Sequence, residues 1–215
     1  MALQIAGFTP ANIMETDATF KAARATLRPP EAVGWYSVGL KSGALTGLAA
    51  GAPLFTLRNL ASNLLMVRRI GVGFLTTTAF LAPQIVDFGL TGARAFTASD
   101  SGGNAVTLTG TNNSKHRTSL AAPTNFDMRI AGAAALTAGT RTLDAAPMAS
   151  VAAFSGALGA GLAPAPGNLL QHDASDYPLI LALNEGLVIT ALTAFGATGV
   201  GTAYVNIEFA EAVAF

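Results

Sequence analysis

The chain has 215 residues, of which 51% are hydrophobic and only 11% charged, and its 12 basic and 12 acidic side chains leave no net charge. It has no cysteine, which excludes disulfides, zinc–thiolate sites and thiol nucleophiles, and its apolar runs are shorter than the ~18 residues of a membrane-spanning helix. Charged side chains normally keep a folded monomer solvated, and a low charge content therefore predicts extensive subunit interfaces. The alternative is a monomer with a neutral surface of small residues.

Residues 1–31 are predicted to form an N-terminal arm. A cap at Thr16 or Asp17 favours a short helix that ends before Pro29, with Phe20 and Leu27 on one side. The arm lacks a basic segment followed by an apolar run, so we expect no secretory signal. Phe20 and Leu27 are interface candidates, although a helix this short could equally pack on its own domain.

Residues 32–215 are predicted to form one all-β domain, an antiparallel sandwich of jelly-roll type. Apolar alternation and β-branched or aromatic side chains predict strands at 33–40, 53–60, 64–80, 83–98, 126–131, 179–183, 187–195 and 203–209. In the last segment the apolar residues at odd positions should face the core, and the polar residues at even positions should face outward.

Three further segments are predicted to connect these strands. Residues 99–104 carry a turn signal, and the polar residues 109–119 form a loop between the two halves. The Ala/Gly-rich residues 132–166 form an extended excursion, a loop, or a helix around 145–158.

The sequence offers little material for catalysis or metal binding. His116 has no Gly-x-Ser-x-Gly nucleophile elbow to serve, so a surface loop is the favoured interpretation. His172, Asp173 and Asp176 could supply metal ligands, but a solvated loop is favoured because no second histidine stands at metal-site spacing. We therefore predict that the protein is not an enzyme and that it binds no cofactor.

Four arginines on predicted strands are further interface candidates, with Glu208 as a possible partner: Arg58, Arg68, Arg69 and Arg94. Arg68 and Arg69 are adjacent, so we expect them on opposite faces of a sheet. No common basic platform results, and we expect no direct nucleic-acid binding.

Residues 178–189, PLILALNEGLVI, followed by a Gly-rich turn and VNIEFAE at 205–211, are similar to the end of head-associated structural proteins of tailed bacteriophages. The same resemblance extends upstream to WYS at 35–37, LFTLR at 54–58, AFTAS at 95–99 and TAGTRTL at 137–143. It implies a virion component, a capsid decoration or cement protein made in the host cytoplasm and placed on the capsid exterior. The implied partners are the major capsid protein and further copies of the chain in a homotrimer, with no membrane and no small-molecule substrate. A receptor- or carbohydrate-binding module of a head fibre or tail is the alternative.

Overall fold

The computed structural model of the protein describes residues 15–16, 23–24, 35–108, 114–116, 123, 125–155, 167–172 and 178–212. The chain divides into two compact units, Met1–Glu31 and Ala32–Phe215. In the first unit, the described backbone forms two short antiparallel strands, β1 (Glu15–Thr16) and β2 (Ala23–Arg24).

The predicted N-terminal helix is not found in the described residues, because the positions that should form its middle are extended in β2. A helix of this length gains too little from its own hydrogen bonds to offset nucleation, so the backbone can pair as strands instead. Phe20 and Leu27 lie outside the described residues, and their role in an interface stays a prediction.

The second unit is an all-β sandwich of two antiparallel sheets, as the sequence predicts. Its described strands are β3 (Trp35–Lys41), β4 (Pro53–Asn59), β5 (Leu64–Thr78), β6 (Gln84–Arg94), β7 (Asn104–Ala105), β8 (Phe126–Ile130), β9 (Thr142–Leu143), β10 (Ala149–Ser155), β11 (Gly167–Gln171), β12 (Leu179–Leu181), β13 (Gly186–Ala191) and β14 (Val200–Ala212). The Ala-rich helix considered for 145–158 is wrong where the chain is described, since β10 occupies that segment.

The two sheets differ in size. The seven-stranded sheet has the order β10-β6-β13-β4-β8-β7, with β9 also paired to β6. The five-stranded sheet has the order β11-β5-β14-β3, with β12 also paired to β5. Among the described residues, no helix is long and apolar enough to span a membrane.

One hydrophobic core fills the space between the sheets. The Phe74 ring contacts both Phe88 and Phe195, with centroids 5.9 and 5.6 Å away. On β14, the odd positions from 205 to 209 are at most 1% exposed, while Asn206 is exposed. The predicted alternation of β14 is therefore confirmed, and it fixes which side chains reach the outer face.

A β-bulge interrupts the pairing of β5 with β14. Glu208 is opposite Arg69, whereas the next residue, Phe209, is opposite Val67, so Arg68 is the extra residue. Val67 and Ile70 both belong to the core, and Arg68 and Arg69 between them are both outside it. The expectation that the two arginines point to opposite faces is wrong, because a bulge breaks the two-residue period of a strand.

Candidate functional site

The outer face of the five-stranded sheet carries a shallow cleft across β3, β14 and β5. We call it the sheet cleft; its volume is about 330 Å³. The side chains and glycine that line it are Ser37, Gly39, Arg69, Asn206 and Glu208, with the backbone of Val38 and Ile207 beneath. Glu208 is in register with both Ser37 and Arg69, so two of the predicted interface candidates lie side by side in this cleft.

Asn206 stands between two glycines on the neighbouring strands. Its register partners are Gly39 on β3 and Gly71 on β5. A Cβ at Gly39 would lie 3.2 Å from Asn206 Oδ1, whereas a Cβ at Gly71 would meet Asn168 Oδ1 at an ordinary 3.5 Å. The Asn206 amide thus uses space that exists because position 39 has no side chain.

A segment from the loop between the halves borders the sheet cleft. Residues 114–116 pair with the start of β3: Ser37 N–H donates to Ser114 O (2.8 Å), and His116 N–H donates to Trp35 O (2.8 Å). This places the imidazole beside the cleft, where a 2.5 Å hydrogen bond joins Ser37 Oγ and His116 Nε2. His116 is exposed, as the sequence predicts, and it also positions the Ser37 hydroxyl.

Two aromatic residues lie next to the sheet cleft, on two of the strands that form it. Tyr204 lies two residues before Asn206 on β14, with Lys41 Nζ 6.0 Å from its ring centroid. Trp35 lies two residues before Ser37 on β3, and Arg68 Cζ is 5.9 Å from its ring. The interface candidate Arg68 is therefore half-buried over an aromatic ring and does not line the cleft.

Loops of the chain cover part of the outer face of the seven-stranded sheet, around Phe96. The Phe96 ring lies over it, flanked by Arg58 Cζ at 5.4 Å and Arg141 Cζ at 5.6 Å. Arg58 also donates to Asn184 Oδ1 (2.7 Å) and Ser99 Oγ (2.9 Å). The predicted interface candidate Arg58 is thus engaged within its own chain.

A buried carboxylate fixes this loop cover. Asp100, 2% exposed, accepts hydrogen bonds from Thr56 Oγ1 (2.5 Å), from Gly139 N–H (2.8 Å) and from the Arg141 guanidinium. Burial lowers the pKa of Arg141 below its ordinary value. Asp100 is the counter-charge that this buried guanidinium contacts, so we assign the cluster a structural role.

Arg94 is likewise engaged within the chain. It forms ion pairs with Glu185 (2.8 Å) and Asp144 (3.5 Å), and these hydrogen bonds raise its pKa. The Glu185 carboxyl also accepts the Ala182 N–H at 2.9 Å. The predicted interface candidate Arg94 thus bridges two carboxylates of its own chain, Asp144 and Glu185.

An apolar surface lies at the β10 end of the seven-stranded sheet. Phe154 on β10 is directly opposite Ile85 on β6, and the two are 68% and 57% exposed. We call this pair the apolar edge, since β10 is the terminal strand of the sheet in the described part of the chain. Exposed side chains this large, in register on neighbouring strands, form a contiguous apolar patch.

Asp173 and Asp176, the two carboxylates of the metal site considered with His172, lie outside the described residues. His172 itself is half-buried, and its carbonyl accepts from Arg68 Nε at 3.4 Å. In the part of the chain that is described, no group of three His, Asp or Glu residues could hold a metal ion.

Sequence reasoning did not single out Ser37, Gly39 or Asn206 as site residues. Alternation in β14 indicates that Asn206 faces outward, but its glycine neighbours emerge only from the strand register, which joins positions far apart in the chain.

Comparison with family models, curated proteins and solved structures found no match to this chain.

Proposed function

We propose that the protein is a virion structural protein of a tailed bacteriophage, a capsid decoration (cement) protein that binds major capsid subunits. The observation that carries this proposal is the apolar edge, formed by Ile85 and Phe154. The low charge content and the resemblance of residues 178–189 to phage head proteins support it. The β-sandwich agrees with the all-β domain that the resemblance to phage head proteins implies. We propose that this domain is jelly-roll-like.

The apolar edge combines two features that favour attachment of another chain. β10 is the terminal strand of its sheet among the described residues, and natural proteins usually protect such an edge with charge or proline. Here the adjoining side chains, Phe154 and Ile85, are large and apolar. A contact of this edge with a different surface of the next copy forms a closed ring where the rotation between copies closes, and the proposed homotrimer is such a ring.

Light scattering on the purified full chain tests the self-assembly step. We expect a trimer of the 21.7 kDa chain at micromolar concentration, and a shift toward monomer in Phe154→Ser, because the substitution removes the largest apolar side chain of the apolar edge. Leu183→Ser is the matched control, since Leu183 is 49% exposed in the turn between β12 and β13. A monomeric wild-type chain, or equal effects of the two variants, would contradict the proposed interface.

The particle step needs a separate measurement. Phage particles purified from the producing host should contain the chain in a fixed ratio to the major capsid protein, measured by quantitative mass spectrometry. Particles that lack the chain, with all of it recovered from host cytosol, would exclude a decoration protein.

A further inference from the structure

We propose that the sheet cleft binds a short, uncharged segment of a carbohydrate chain. This function goes beyond the structural role above and does not depend on it. It uses a different face of the domain from the apolar edge.

The side chains of the cleft match the hydrogen-bonding pattern of sugar hydroxyls, each of which donates and accepts. Glu208 only accepts, Arg69 only donates, and the Asn206 amide and Ser37 hydroxyl do both. The carboxylate, guanidinium and amide are planar groups that can form two parallel hydrogen bonds, which suits neighbouring hydroxyls on one ring. A sugar could therefore satisfy every group in the cleft.

The charges of the cleft favour a neutral ligand. Arg69 and Glu208 are register partners on adjacent strands, so the lining of the cleft carries one positive and one negative side chain and no net charge. A phosphate or other anion would be repelled by Glu208, and a cation by Arg69. The selectivity expected from this pair is for uncharged polar groups.

At its centre, on β14, the cleft cannot take a peptide as an added strand. β14 is paired on both sides, with β3 and β5, so its backbone has no free edge to extend. Ligand contacts must come from side chains above the sheet. Gly39 leaves room above the sheet for the Asn206 amide. Tyr204, two residues before Asn206 on β14, offers a ring against which the apolar face of a sugar can pack.

The size of the cleft fits a small ligand. Three neighbouring strands span roughly 10 Å at the usual spacing of ~4.8 Å. The volume of about 330 Å³ lies at the lower end of the ~300–1,000 Å³ typical of small-molecule sites. The cleft therefore accommodates a short segment of a sugar chain.

The test is binding of the fluorescently labelled full chain to an array of neutral and acidic oligosaccharides, followed by titration with the strongest binder. We expect neutral oligosaccharides to be retained, with affinity reduced about tenfold in Asn206→Ala through loss of its hydrogen bonds. Competition with free monosaccharides distinguishes a chain segment, which they displace weakly, from a single free sugar.

Two glycine variants sharpen the test. Gly39→Ala should weaken binding because its methyl group displaces the Asn206 amide. Gly71→Ala should bind as the wild type does, because its methyl group meets Asn168 Oδ1 and Gly167 O at ordinary contact distances and does not touch Asn206. Thermal melts of each variant confirm the fold. Retention of no neutral oligosaccharide, or equal affinity in wild type and Asn206→Ala, would overturn the proposal whatever the chain does on phage particles.

Discussion

At the scale of single residues, Asp100 shows how a loop can be fixed to a sheet by one charge. Its carboxylate is buried on the outer face of the seven-stranded sheet and accepts from Thr56, Gly139 and Arg141. A buried ion pair adds little stability over a well-packed apolar pair, but removing one partner leaves the other charge buried and uncompensated. Replacing Asp100 should therefore destabilise the fold by more than the intact ion pair stabilises it.

We expect Asp100→Asn to lower the free energy of unfolding by about 3–5 kcal/mol, because the Arg141 guanidinium loses its counter-charge. Asp127→Asn is the control: Asp127 pairs with Arg129 at 3.1 Å in a more exposed setting, so its loss should cost at most about 1 kcal/mol. Urea unfolding followed by circular dichroism measures both, and equal costs would contradict the role of Asp100.

The sequence predicts the outward position of Asn206 and Glu208 but not their surroundings. Side-chain alternation is a local property, so it can be read along β14 alone. The bulge at Arg68 and the pairing of Asn206 with Gly39 depend on how separate strands align, which no local pattern specifies. The surroundings of the four arginine interface candidates depend on the same alignment of separate strands.

At the scale of elements, the tight turn between β12 and β13 depends on Glu185. Asn184, which precedes it, has a positive φ of 61°, a conformation that asparagine tolerates better than most residues. Burial raises the pKa of Glu185, but hydrogen bonds from the Ala182 N–H and from Arg94 outweigh it, and the net pKa is below the ordinary 4.5. The ionised carboxylate therefore stabilises the folded turn.

This pKa shift predicts acid sensitivity. Because the folded-state pKa of Glu185 is lowered, its stabilising contribution is present above about pH 4.5 and is lost as the pH falls through the folded-state value. Glu185→Gln should melt about 2–4 °C below the wild type at pH 7 and converge with it in acid. Melting temperatures across pH 2–7 would contradict this if the gap stayed constant.

The strands that the sequence predicts and those that it misses differ in side-chain size. β4, β5 and β14 contain large apolar residues at a clear period, and each was predicted within a few residues. β9, β10 and β11 come from or border the Ala/Gly-rich segment, where small side chains give weak periodicity. Their strand conformation depends on pairing with β6 and β5, a nonlocal effect.

At the scale of the whole molecule, the chain divides into two units, Met1–Glu31 and Ala32–Phe215. We expect removal of residues 1–30 to leave the β-sandwich folded, because the described core residues all belong to the second unit. On the proposed function, the same deletion should weaken attachment to phage heads. Circular dichroism and a head-binding assay measure the two effects, and loss of the folded domain would contradict this boundary.

The position of β14 has a consequence for synthesis. It follows the other described strands in chain order, yet lies between β5 and β3 at the centre of its sheet. While the ribosome is still translating residues 200–212, β3 and β5 lack the neighbour that joins them, and their apolar inner faces cannot be closed over. This sheet therefore forms late and through contacts of long sequence separation, which slows folding and leaves apolar surface of the nascent chain exposed until synthesis reaches β14.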